Sequence, residues 1–379
     1  GRAASKKPEQ SPHFTPKAKR VIFLFMHGGP SHMDTFDYKP QLQKDSGKPL
    51  PFDKPQVFSA ETGNLLGSPW KFKQHGESGA WVSELFPHVA GCVDDLCIIN
   101  SMYGSNSRHG GALLELHTGS DTFVRPSMGS WITYGLGSEN QDLPGFITVC
   151  PTLTHGGVNA YSSSFLPADF QGTPIGNASI PADRALIPFI KNESGIPMSV
   201  QRKELDYLQQ MNREHLAESG PDAALEGRIN SFELAYRMQT AAPELQDISD
   251  ESEATQKEYG LDQDVTKNFG RQCLMARRFA ERDQPIAALL KDLKARGLLD
   301  DTLVLWGGEF GRTPVSQGAD GRDHNPQGYT MWMAGGGIKG GLQYGATDDY
   351  GYYAVQNKVH VHDLHATMLH LLGLDHKKL

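Results

Sequence analysis

Three stretches of this sequence gather side chains that bind metals or move protons. The first is His27-Gly28-Gly29-Pro30-Ser31-His32-Met33-Asp34-Thr35-Phe36-Asp37, where two imidazoles and two carboxylates crowd a glycine-rich turn. Glycine lets the backbone approach a bound anion, and His nitrogens and Asp oxygens are ligands that zinc and manganese accept. His27, His32 and Asp34 are therefore candidate metal ligands. The second stretch is Ser105-Asn106-Ser107-Arg108-His109, ahead of Gly111-Ala112-Leu113-Leu114-Glu115-Leu116, which reads as a helix. Main-chain N–H groups at a helix start attract sulfate or phosphate, with Ser107 or His109 facing the anion. The Ser107 hydroxyl becomes a nucleophile if a cation lowers its pKa. The third stretch pairs Gly307-Gly308-Glu309-Phe310-Gly311-Arg312-Thr313 with Gly321-Arg322-Asp323-His324-Asn325-Pro326. Here Glu309 and His324 are ligand candidates, and Arg312 and Arg322 are clamps for ester oxygens.

Plainer roles compete at each place. Asp34 can cap a following helix, Ser107 or Asn106 can cap the next one, and Glu309 can pair with Arg312. His360, His362, His365, His370 and His376 resemble a metal tract, but their spacing does not hold together. Asp363 begins a helix with apolar positions Leu364, Met368, Leu371 and Leu372, which leaves His365 in the first turn as its one ligand candidate. His117 lies inside a helix and reads as a core histidine.

The elements that must position these groups are short apolar runs. Val21-Ile22-Phe23-Leu24-Phe25-Met26 has the continuous hydrophobicity of a strand covered on both faces of a parallel sheet, and it empties into His27-Gly28-Gly29-Pro30. Leu96-Cys97-Ile98-Ile99, Phe146-Ile147-Thr148-Val149, Thr302-Leu303-Val304-Leu305-Trp306 and Tyr329-Thr330-Met331-Trp332-Met333-Ala334 read the same way. A helix from Pro285 to Arg296 ends at Gly297. Strands alternating with helical patterns predict an α/β fold with a mostly parallel central sheet, whose chemistry sits at the carboxyl ends of its strands. From about residue 200 to 282 the pattern changes to long amphipathic helices, an insertion on a single domain spanning 20–379.

The 379 residues carry a net charge of −8, with 38% hydrophobic and 21% charged side chains, the balance of a globular protein. Basic residues are scattered rather than striped, which argues against nucleic acid as a partner. No apolar run approaches the roughly 20 residues that cross a bilayer. Cys92, Cys97, Cys150 and Cys273 lack metal-site spacing and read as buried thiols, with room for one disulfide. Residues 1–19 are polar and aperiodic, a flexible lead-in; their start without Met suggests a processed, exported chain.

Taken together, Lys19 to Asp37, Gly135 to Asn140, Trp306 to Arg312, Gly321 to Asn325 and Asp363 to Thr367 resemble the sulfatase-like family catalogued as domain of unknown function 1501, over nearly the whole chain after the lead-in. The resemblance implies an alkaline-phosphatase-like sandwich, with helices on both faces of its sheet and the helical insertion. By position it gives Asp34, with His27 or His32, the first-strand ligand role, and Ser107 or His109 the nucleophile's place. Glu309 takes the place of an Asp-His pair, and His324 that of the final ligand histidine. It implies one or two divalent metals, zinc or manganese before calcium, and a small-molecule or polysaccharide sulfate or phosphate ester as substrate. It also implies twin-arginine export to the periplasm or beyond. Phe310 stands where a histidine is expected, and the Cys or Ser, x-Pro-x-Arg signature of formylglycine enzymes is missing. Between Arg282 and Asp283 the family's expected strand and ligand loop are absent. The leading reading is a metal-dependent ester hydrolase. Its rivals are a binding protein on the same fold, recognising sulfated polysaccharide, and a phosphoryl transferase or mutase with a covalent intermediate at Ser107.

Overall fold

A computed structural model describes residues 12–53, 62–138, 142–187, 190, 195–220, 222–280, 286–318 and 321–379. The principal elements are β1 (Arg20–Phe25), β2 (Leu96–Tyr103), α1 (His109–Thr118), α2 (Met128–Leu136), α3 (Met198–Ser219), α4 (Ala223–Gln246), α5 (Lys267–Ala280), α6 (Ile286–Ala295), β3 (Thr302–Gly307), β4 (Gly311–Gln317), β5 (Gly321–Asn325), β6 (Tyr329–Ala334), β7 (Leu342–Tyr344), β8 (Val359–His360) and α7 (Val361–Leu371). The chain divides into two compact units: residues 13–123 with 283–378, and a unit built mainly from residues 124–282.

The unit made of residues 13–123 and 283–378 contains a six-stranded sheet in the order β1-β3-β6-β2-β7, with β8 also paired to β2. β1 and β3 are parallel, and Phe25 lies opposite Gly307, so the loops that follow both strands leave from one edge. β6 runs antiparallel to both β3 and β2, whereas β7 and β8 run parallel to β2. The sheet is therefore mixed, and the mostly parallel expectation is corrected. The cause lies between β3 and β6: no crossover helix joins them, only the antiparallel β4–β5 pair, so the chain re-enters the sheet in the opposite direction.

All six residues of β3 and of β6 are buried, which accounts for their largely apolar runs. Trp306 and Trp332 stack at 5.9 Å, and Phe36 and Phe86 meet the Trp306 ring edge-on. β2 extends beyond the run Leu96 to Ile99 because its polar residues are satisfied inside. Ser101 donates to the Asn357 carbonyl at 2.7 Å, and the Thr330 hydroxyl donates to Asn100 at 3.2 Å. Residues 1–11 lie outside the described residues, but Phe14, Lys17, Ala18 and Lys19 donate main-chain bonds to Gly373, Leu371, Leu371 and Asp301, and Ala18 is buried.

The unit of residues 124–282 holds α2 to α5 and a short parallel pair, Ile147–Val149 with Thr173–Ile175. The run at Phe146 to Val149 thus pairs locally instead of joining the six-stranded sheet. Ile175, Ala185, Ile187, Met238, Ala242 and Met275 form this unit's own core. The helical stretch read at about 200–282 falls within it. None of the four cysteines is in a disulfide. The Arg282–Asp283 junction, where a strand is expected to be missing, lies outside the described residues. Among the described residues, no helix is long and apolar enough to cross a membrane.

Candidate metal centre

The centre belongs wholly to the unit that carries the six-stranded sheet. Because β1 and β3 are in parallel register, His27 after β1 and Glu309 after β3 emerge side by side. His109, the first residue of α1, reaches them from the loop that follows β2. One ligand atom from each of His27, His109 and Glu309 lies within 4.8 Å of the other two. His109 Nδ1–H donates to the Glu309 carboxylate at 2.7 Å, and the Glu309 side chain is fully buried. Both Glu309 oxygens also accept the Gly28 N–H, at 3.0 and 3.2 Å. A buried carboxylate needs such partners, since its charge is otherwise removed from water at a cost of several kcal/mol.

The turn that presents His27 depends on its glycines. Gly28 and Gly29 have φ of +102° and +70°, a region that a side chain rarely adopts. A Cβ on Gly29 would come within 2.5 Å of the Phe310 ring and 2.6 Å of its carbonyl. Gly29→Ala is therefore expected to cost at least about 2 kcal/mol and to displace the residue next to Glu309. A lower midpoint in urea, together with weaker metal binding, checks this.

Around this trio the other expected residues divide. His324 Nδ1–H donates to the Ser107 carbonyl at 2.7 Å, which leaves the Nε2 lone pair as its open nitrogen. The His324 ring stands edge-on to His109 at 4.4 Å and stacks on Phe310, also at 4.4 Å. Burial, with Arg312 and His109 nearby, holds His324 below the usual imidazole value and hence neutral at pH 7. Phe310, which replaces an expected ligand histidine, is fully buried and packs against both the His109 and the His324 ring. Ser107 enters through its carbonyl oxygen.

The structure does not bring Asp34 and His32 into the ligand group. Arg322 Nε donates to Asp34 Oδ2 at 2.9 Å and Nη2 donates to Oδ1 at 3.3 Å, a forked pair with both side chains largely buried. Burial alone would raise the Asp34 carboxyl, but the guanidinium overcomes this and holds it below its ordinary value. His32 is 1% exposed; its Nε2–H donates to the Gly351 carbonyl at 2.7 Å, and burial lowers its pKa. Both arginines donate to partners within the protein. Arg312 Nε donates to Gly29 O at 2.9 Å, Nη1 to Arg322 O at 3.1 Å and Nη2 to Gly28 O. Arg312 thus ties down the backbone carbonyls of the loop that bears His27, and Arg322 is committed to Asp34.

The start of α1 faces the same region. Its first main-chain bond is Ala112 N–H to Arg108 O at 2.9 Å, so the N–H groups of His109, Gly110 and Gly111 precede the helical ladder. The helix N-cap is Arg108, without a side-chain cap bond; Asn106 instead accepts from Arg108 N–H at 2.8 Å.

The C-terminal histidines act elsewhere, on the far end of α1. His365 Nε2–H donates to Leu116 O at 2.7 Å, and His362 Nε2–H donates to Gly119 O at 2.9 Å. His117 packs against Phe23 and Phe25. Burial pushes both His117 and His365 from 6.5 down to about 4. The unfolded chain therefore binds protons that the folded chain refuses. Each ring's stabilisation is complete above pH 6.5 and is lost as pH falls through about 4. The loss is at most about 3 kcal/mol per ring, since both keep some solvent contact. Urea midpoints at pH 7 and pH 4.5 should differ markedly, and His117→Phe should narrow the difference.

Comparison with known proteins gives a family. The family described as "Protein of unknown function (DUF1501)" matches residues 18–283 and 280–379, and the chain belongs to that family. Comparison with curated proteins returns no match. Among solved structures, the chain is similar to the PsFucS1 sulfatase from Pseudoalteromonas sp., at 14% identity over 77% of this chain and 63% of that one, with a TM-score of 0.33. It therefore spans under two thirds of that sulfatase's length. It is similar also to the lipoteichoic acid synthase LtaP from Listeria monocytogenes, at 13% identity over 90% and 76% of the two chains, with a TM-score of 0.32.

Proposed function

We propose that this chain is a metal-dependent hydrolase of sulfate or phosphate esters, and that His27, His109 and Glu309 hold its metal. The observation that carries the reading is the convergence of two imidazoles and one buried carboxylate within 4.8 Å, from segments 82 to 282 residues apart in the chain. Two histidines and a glutamate form a ligand set used by hydrolytic zinc sites that keep a position open for substrate or water. The donor set fits: Glu309 is held by Gly28 N–H, and the His109 proton now lies between two would-be ligands, where a cation takes its place. Zinc or manganese suits this mixture, whereas calcium calls for more oxygens. Such a cation supplies Lewis-acid charge that polarises an ester oxygen.

The chain's own residues do the rest. N–H groups of the first turn of α1, at the positive end of the helix dipole, orient the anionic ester. His324, neutral and with Nδ1–H fixed by Ser107 O, takes or returns a proton at Nε2. The attacking group is water or the Ser107 hydroxyl. Asp34 and Arg322 brace β5, which carries His324, and Arg312 braces the loop of His27. The alkaline-phosphatase-like arrangement and export from the cytoplasm belong to the same proposal.

One observation favours a second reading. Both arginines are bound within the protein, so neither stands ready for the charge that develops in the transition state. A binding protein for sulfated glycans on this fold would need none. Elemental analysis with a panel of aryl sulfate and phosphate esters separates the two. The hydrolase is expected to hold stoichiometric metal and to turn over at least one ester class. A metal-free protein inert on the whole panel overturns the proposal in favour of binding.

A further inference from the structure

Glu115 is a carboxylate that the proposed chemistry does not use. It lies on α1 among Leu113, Leu114 and Leu116 and is 4% exposed. Removing such a charge from water is costly unless donors surround it. Most of them come from one residue. Glu115 Oε2 accepts the Ser105 N–H at 2.9 Å, and Oε1 accepts the Ser105 hydroxyl at 2.8 Å. His360 Nε2 lies 3.4 Å from Oε1. Because His360 Nδ1 accepts the His362 N–H at 3.2 Å, Nε2 is left to carry the ring proton towards Glu115. Gly104 lets the carboxylate close on bare main chain, since a Cβ there would stand 3.2 Å from Oε2.

The two Ser105 bonds close a ring. From Ser105 the chain runs through Ser107 to His109, follows α1 to Glu115 and returns through the carboxylate. Since α1 is a continuous helix, these bonds fix where the loop starts relative to the helix that carries His109. Ser107 stands halfway, and its carbonyl is the oxygen that orients His324. The loop has two further side ties: Gly104 N–H donates to Pro326 O at 2.9 Å, and the Asn106 amide donates to Asp121 at 3.0 Å. Of these partners only Glu115 sits on α1.

We infer that Glu115 is a positioning residue of the metal centre: through Ser105 it sets the loop that places His109 and the Ser107 carbonyl. Stability alone gives no reason for a carboxylate here, because a buried charge contributes little over an apolar side chain of the same shape. What the charge adds is direction, two bonds aimed at one residue of one loop. Ligand geometry depends on such support, and metal sites lose roughly tenfold to a hundredfold in affinity when the groups that orient their ligands are removed. The inference rests on the metal-centre reading, and its test tells the failure of one from the failure of the other.

The test is titration of cobalt(II), whose visible absorption reports ligand geometry, into the metal-free full chain. The wild type is expected to take up one equivalent with a visible band, and Glu115→Gln to bind it at least about tenfold more weakly with an altered band. Ser105→Ala keeps the main-chain bond and loses only the hydroxyl, so it should fold as the wild type does and weaken cobalt binding in the same direction by less. Leu113→Ala, at a fully buried position on the same helix, controls for destabilisation alone. Its melting temperature should fall while its cobalt affinity and band, read well below melting, stay at the wild-type values. Cobalt bound alike by the wild type, Glu115→Gln and Ser105→Ala overturns the role of Glu115, as does a loss in Leu113→Ala equal to that in Glu115→Gln. A wild-type chain that takes up no cobalt overturns the metal centre itself, and this role falls with it.

Discussion

Glu309→Gln is expected to fold and to lose its metal, and with it at least about a hundredfold of ester hydrolysis. Glutamine preserves the side-chain shape and leaves an amide oxygen for Gly28 N–H, the bond that now anchors the carboxylate at 3.0 Å. What it removes is the single carboxylate charge in a group whose other two members are imidazoles. Glu309→Ala should lose the metal equally and should also destabilise the fold, since the Gly28 and His109 donors would be left without their buried acceptor, about 1–3 kcal/mol each. Metal content by elemental analysis, read beside the melting temperature of each variant, separates ligand loss from unfolding. A Glu309→Gln protein with full metal content shows that Glu309 is not a ligand.

The second large effect is at Asp34, and it has the opposite signature. Asp34→Ala leaves the Arg322 guanidinium buried, 6% exposed, with no counter-charge, and is expected to cost about 3–5 kcal/mol of stability. Metal content at low temperature, where the variant is folded, is expected to stay at the wild-type level. Replacing both partners, Asp34→Ala with Arg322→Met, should recover part of the loss, because no charge is then buried alone. Chemical denaturation of the two single variants and the double variant measures the coupling. Had Asp34 been a ligand, its loss would strip the metal with a modest effect on the apo protein, and the double variant would recover nothing.

These two residues show what a single sequence can and cannot convey about this site. His27 and Glu309 were legible because each ends a continuous apolar run, and such runs in a buried sheet deliver their following loops to one edge. His109 was visible as a group facing an anion at a helix start, but its place beside Glu309 depends on a contact spanning 200 residues. The signal that would have placed it beside Glu309 is its position at the first turn of the helix after a third buried strand. Asp34 and Arg322 are 288 residues apart, and nothing in their neighbours reveals that they neutralise each other. Arg312 likewise looks like an anion clamp by residue type, yet its donors are spent on main-chain carbonyls.

The same division holds for the fold. β1, β3 and β6 were read nearly to their ends because runs of five or six mostly apolar residues have few alternatives to a buried strand. Their direction was not readable, since apolarity is the same for a strand traversed either way. The residues of β4 and β5, including Arg312 and Arg322, read as loops because they are polar. Their pairing with each other reverses the chain and makes the sheet mixed. The strand at Ile147–Val149 carries the right composition but sits in the other unit, a fact set by its pairing with Thr173–Ile175 rather than by anything within it.

The central claim is that two imidazoles and one carboxylate of this chain grip a single cation. X-ray absorption on protein loaded with one equivalent of zinc tests it most directly. The expected spectrum shows two imidazole nitrogens and low-atomic-number oxygen at about 2.0–2.2 Å, and it loses one imidazole in either His27→Ala or His109→Ala. Failure to retain one equivalent of zinc, or a spectrum with sulfur at about 2.3 Å or unchanged in both histidine variants, would contradict it.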